Sequence, residues 1–91
     1  MPRYFFHIHD GVGNHDTEGT ELKDLATAKC EGVKLAGRAI CDDAATFWDR
    51  REWSLTVTDE TGLVLYSLNF LGVEAPAAAR LLPPQIVQII T

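Results

Sequence analysis

The run Trp53-Ser54-Leu55-Thr56-Val57-Thr58-Asp59 alternates apolar and polar residues without a break, and Asp59-Glu60-Thr61-Gly62 follows at once. Strict period-two alternation marks a strand with one dry face and one wet face. Asp and Gly at a turn supply the left-handed backbone a hairpin needs, with Gly62 suited to the bulged position. Residues 63–70 then form a second strand, with Val64, Tyr66, Leu68 and Phe70 together on one face. A sheet wet on one side needs cover on the other, so this hairpin requires a partner layer elsewhere in the chain.

That layer comes from residues 24–45, where the period changes to that of a helix. Asp24 is placed to cap it, and Leu25, Ala28, Gly32, Ala36, Ala39 and Ile40 fall on one stripe. Small residues let the helix axis approach the sheet closely. Gly32 and Gly37 each cost about 1 kcal/mol of helix propensity relative to Ala, which implies a packing reason for at least one of them. The N-terminal residues 3–9 read as another strand, with Tyr4, Phe6 and Ile8 on one side and Phe5, His7 and His9 on the other. A turn at Asp10-Gly11-Val12-Gly13-Asn14 and a short polar return strand at residues 15–18 complete a first hairpin. Residues 46–52 are read as a connector.

The fold expected is α+β: a single β-β-α-β-β domain over residues 1–74, one helix packed on a four-stranded, mainly antiparallel sheet. Its core is assigned to Tyr4, Phe6, Ile8, Leu25, Val33, Ala36, Ile40, Trp53, Leu55, Val57, Val64, Tyr66, Leu68 and Phe70. Residues 75–91 form a C-terminal extension of different composition, rich in Ala and Pro. At 91 residues there is apolar material for one core only.

A formal charge of −5, with the eight basic residues scattered, argues against nucleic acid as a partner. No stretch has the apolar length of a membrane span, and the N-terminus lacks a signal-peptide pattern, so a cytoplasmic location is expected. Cys30 and Cys41 lie eleven residues apart in one helix, about 16 Å at a 1.5 Å rise, and are therefore read as free thiols on the border of the apolar stripe.

The densest set of functional side chains is His7, His9, His15 and Asp16. Were the return strand to bring them together, they would offer nitrogen and oxygen ligands suited to zinc. The competing reading, which is preferred, is that these histidines are solvated on the wet face of a strand. No nucleophile elbow, phosphate loop, zinc ribbon or EF-hand spacing is present, so no catalytic residue and no cofactor are assigned, and the chain is not expected to be an enzyme. Asp42-Asp43 at the helix end opposes the helix dipole. Trp48, Arg50 and Arg51 combine an aromatic with guanidinium groups, a composition found at binding hot spots.

Met1-Pro2-Arg3-Tyr4-Phe5-Phe6-His7, the Asp10-Gly11 turn, the series Asp16, Glu18-Gly19, Glu21-Leu22 and Asp24 ahead of the helix, and Trp53 leading to Thr58-Asp59-Glu60 and Gly62 resemble a family of short uncharacterised bacterial proteins from rhizobia and related alphaproteobacteria. The likeness covers about residues 1–75 and implies no activity. The reading is therefore an interaction or regulatory module, forming a homodimer and open to a further protein partner; the alternative is a small-ligand or metal-binding protein using the histidine cluster. Ile86, Val87, Ile89 and Ile90 form a short β-prone run that needs cover, and docking of this tail on a partner subunit is the expected dimer interface.

Overall fold

The computed structural model describes residues 1–11 and 13–81 of the chain. Its elements are strands β1 (Arg3–His9) and β2 (Thr20–Glu21), helices α1 (Leu25–Asp42) and α2 (Ala44–Arg50), and strands β3 (Glu52–Thr58) and β4 (Val64–Leu71), followed by a 3₁₀ helix at Pro76–Leu81. The sheet is antiparallel throughout, in the order β2-β1-β3-β4, so the expected α+β architecture is the one observed. β1 and β3 are central, and β4 is an edge.

Phe6 pairs with Val57 and Ile8 with Leu55, while Leu55 pairs with Leu68 and Val57 with Tyr66. One face of the sheet is thereby apolar across three strands. α1 lays Ala28, Gly32 and Ala36 on it, and Tyr4, Ala28, Ala36, Trp53, Leu55 and Val57 form the buried centre. Leu55 and Val57 are fully enclosed, each worth roughly 1.5–3 kcal/mol relative to exposure. Phe6, Ile8, Leu35, Ile40, Tyr66 and Leu68 are half-buried around this centre.

The core is narrower than the sequence pattern suggests. Leu25, Val33, Val64 and Phe70, all assigned to it, are exposed. The helix touches the sheet through its small residues, so only the strip under Ala28, Gly32 and Ala36 is sealed. Tyr66 reaches up to this strip and donates its hydroxyl to the Ala28 carbonyl at 2.7 Å.

Capping follows the sequence closely at the start of α1. The Asp24 carboxylate accepts the N–H of Thr27 at 2.8 Å. The helix expected over residues 24–45 ends at Asp42, and most of residues 46–52, read as a connector, belong to a second helix. Asp43 ends α1 and begins α2, its carbonyl accepting the N–H groups of Thr46 and Phe47. An acidic residue that disfavours the end of one helix favours the start of the next, which accounts for Asp43. Arg51 closes α2 in the left-handed conformation at φ 67°.

The first hairpin is looser than expected. The return strand is Thr20–Glu21 and not residues 15–18, with one bridge between Ile8 and Asn14 nearer the turn. Between those two points the chain bows away from β1. The hairpin after β3 matches its pattern: Asp59 N–H donates to the Leu63 carbonyl, and Gly62 sits at φ 90°.

Candidate functional site

Where the bowed segment leaves β1, the N–H of Phe6 loses its strand partner, and the Asp16 carboxylate takes that place. Oδ2 accepts the Phe6 N–H at 3.1 Å, while Oδ1 accepts the N–H groups of Glu18 at 3.1 Å and Gly19 at 3.0 Å. The Asp16 N–H in turn donates to Nδ1 of His7 at 3.1 Å. With Nδ1 accepting, the neutral ring carries its proton on Nε2, which lies 3.2 Å from Thr58 Oγ1 and donates to it. Thus His7 is buried between β3 and the loop, a correction to the reading that leaves it solvated.

His15 stacks on His7 with ring centroids 4.2 Å apart, and the Phe5 ring lies nearly parallel to that of His7 at 6.5 Å. Burial first, then the neighbouring His15, pushes the His7 imidazole below its ordinary value of 6.5, against the opposing pull of Asp16. Burial alone would raise the Asp16 carboxyl. The N–H donors of Gly19, Phe6 and Glu18 outweigh it and hold the group below its ordinary 3.8.

These residues wall a shallow cavity of about 510 Å³ on the face of the sheet away from α1, together with Thr56, Thr58, Asp59 and Glu60. The sequence grouped His7, His9, His15 and Asp16 as candidate metal ligands. His7 and His15 do come together, yet both ring nitrogens of His7 are spent on protein hydrogen bonds, and the Asp16 oxygens are occupied by backbone donors. Among the described residues, no three His, Cys, Asp or Glu side chains are arranged to hold a metal ion.

The second candidate group is dispersed by the fold. Arg51 pairs with Glu74 at 3.0 Å, while Arg50 lies over Gly11 and lines a separate recess with Asp10, Asp43 and Asp49. Trp48 packs edge-on against Phe47 and covers Gly72. Cys30 and Cys41 are free thiols, and both are exposed rather than packed at the border of the apolar stripe. Ile86, Val87, Ile89 and Ile90 lie outside the described residues.

A different surface emerges at the far side of the sheet. β4 pairs with β3 along one side, and no described strand pairs with the other. Leu63, Val64, Leu71 and Val73 are exposed on or beside it. No charged residue interrupts residues 61–73, a signal that was legible in the sequence but masked by the alternation of the hairpin. Residues 3–71 match the model of a domain of unknown function, DUF6894. The chain belongs to this family. The DUF6894 match ends with β4, so it takes in the whole sheet and both α-helices and leaves residues 72–91 outside. No curated protein and no solved structure matches the chain. No described helix of this DUF6894 protein is long and apolar enough to cross a membrane.

Proposed function

We propose that this DUF6894 domain is a non-enzymatic interaction module whose working surface is the open edge of β4. The observation that carries this reading is an eight-residue edge strand without a charge, flanked by exposed Leu63 and Val73. Soluble proteins ordinarily guard such edges with Lys, Pro or a cover, because unpaired N–H and C=O groups recruit further strands. Among the described residues, a bulge at one end of β4 is the single guard, and none of them pairs with the outer side of the rest of the strand. Strand addition to an edge gives affinity through the backbone and selectivity through alternate side chains.

A photo-crosslinking residue at Leu71 in the intact protein, compared with one at Cys30 on the exposed side of α1, tests this reading. Crosslinks to another polypeptide from Leu71 and not from Cys30, lost on replacing Asn69 by Pro, are expected. Equal labelling from both positions would sink it.

The second reading, a small-ligand site on the opposite sheet face, is supported by the cavity walled by His7, His15 and Phe5. Its signature would be ligand-induced perturbation of the His7 and His15 ring resonances with no change in β4.

A further inference from the structure

We infer that the chain taken up by the β4 edge is β4 of a second copy, joined antiparallel about a twofold axis at Leu68. This rests on the interaction reading and names its partner. The N–H of Gly72 donates to the Arg51 carbonyl at 2.9 Å, so that pair is a hydrogen-bonded one. Bonded and non-bonded pairs alternate along an antiparallel ladder. Counting back through the register therefore turns the N–H and C=O groups of Tyr66, Leu68 and Phe70 toward β3, and those of Ser67, Asn69 and Leu71 outward. Val57 pairs with Tyr66 and Thr58 with Val64, so Leu65 is the extra residue of a bulge and regular spacing begins only after it.

With the axis at Leu68, Ser67 of one copy faces Asn69 of the other, and each such pair exchanges both backbone hydrogen bonds. Leu68 then meets Leu68 on the helix-covered face, and Tyr66 meets Phe70. Polar residues oppose polar ones and apolar oppose apolar. Sliding the register by two residues spoils this match: one direction sets Ser67 against Leu71, the other sets Asn69 against the bulged Leu65. Cross-strand neighbours of like character are what stabilise such a pair.

Charge points to the same occupant. A strand that pairs with itself must place each side chain opposite another from the same strand, so a single Lys or Glu would meet its own kind or stand without an opposite charge. Residues 61–73 contain neither, and Glu60 and Glu74 bound the run. Both lie outside β4, Glu60 in the turn before it and Glu74 three residues past its end, so neither carboxylate enters the paired stretch.

The helix layer fits as well. Leu35 lines a recess with Phe6, Thr20 and Leu22, which sets that flank of α1 over β1 and β2. At 100° per residue Val33 lies about 160° around the helix from Leu35, on the flank toward β4, and it is 59% exposed. A twofold axis through adjacent edges puts both copies of α1 on one face of a continuous eight-stranded sheet, and the Val33 flanks turn toward each other across it. The arrangement is closed, since pairing β4 with its own copy uses the one side of it that no described strand occupies.

Sedimentation equilibrium on the intact chain, from low micromolar to near-millimolar concentration, tests the proposal. A monomer–dimer equilibrium is expected, because a short strand edge is small against the roughly 800 Å² per partner of standard interfaces. Asn69→Pro removes an outward N–H and leaves the bonds to β3 in place, so it should fold and remain monomeric at every concentration. Leu71→Lys, at a position 71% exposed, should weaken the dimer at least tenfold and provides the check if the proline variant is unfolded. Dimerisation unchanged in both variants overturns the inference. So does a wild-type monomer, and amide exchange then separates the cases. Freely exchanging amides at Ser67, Asn69 and Leu71 would refute self-pairing while leaving the edge open to a different chain. Protected amides in a monomer would refute both readings, the edge being occupied by the chain's own residues.

Discussion

The backbone N–H of Asp16 is held by Nδ1 of His7 at 3.1 Å, while the carboxylate of the same Asp16 accepts the N–H of the neighbouring Phe6. One residue in the loop thus satisfies an edge N–H of β1 and fixes the ring of the next residue along the strand. Asp16→Ala leaves the Phe6, Glu18 and Gly19 N–H groups without their acceptor, and the expected loss of stability is about 1–3 kcal/mol. Asp16→Asn retains one acceptor oxygen and should cost less. Urea denaturation of the two variants checks the order; equal, negligible losses would mean that the loop contributes nothing to the fold.

The same contact fixes a pH dependence. A folded-state imidazole below 6.5 binds fewer protons than its unfolded counterpart, so its contribution is fully present above 6.5 and is lost as pH falls below that value. Asp16, depressed below 3.8, adds a second loss of the same sign at more acidic pH. His7→Asn preserves an acceptor near the Nδ1 position and cannot titrate. The melting temperature of the wild type should therefore fall on mild acidification, with that first decline reduced in His7→Asn. Parallel curves for the two proteins would contradict this assignment.

β1, β3, β4 and α1 were legible in the sequence because their periods are uninterrupted, whereas the two-residue β2 is too short to show one: β3 alternates over its whole length, and Asp24 caps α1 as its position requires. α2 was not legible, because Thr46 to Glu52 carries no stripe long enough to show a period, and a single residue, Asp43, separates α2 from α1. The hydrogen-bonded state of His7 was hidden for another reason. Its partners, Asp16 and Thr58, come from a loop and from β3, and nothing in local spacing reports that a loop will fold back over a strand face. Val33 and Phe70 read as core because they are large and correctly phased, yet a helix seated on Ala and Gly seals only a narrow strip.

At the centre of that strip Leu55 has no exposed surface and lies beneath α1 between Ile8 and Leu68. Truncation to Ala removes the buried methyl groups and leaves a void that the small residues of the helix cannot fill. A loss of about 2–5 kcal/mol in chemical denaturation is expected. The same change at exposed Leu63 should cost under about 0.5 kcal/mol.

The two glycines of α1 separate packing from propensity. Gly37 has nothing within 4 Å of where a Cβ would stand, so Gly37→Ala should gain most of the helix-propensity difference, about 0.5–1 kcal/mol. At Gly32 the added methyl would stand on the Tyr66 hydroxyl. That hydroxyl cannot swing clear without giving up its 2.7 Å bond to the Ala28 carbonyl, and the ring is held between helix and sheet. Gly32→Ala should therefore destabilise by about 1–3 kcal/mol despite its better propensity. Adding Tyr66→Phe removes both the colliding oxygen and the bond it makes, so the alanine should cost markedly less in that background than in the wild type. Thermal melts of the four proteins form a double-mutant cycle. A coupling near zero would show that the close approach of α1 to β4 is not what requires glycine at position 32.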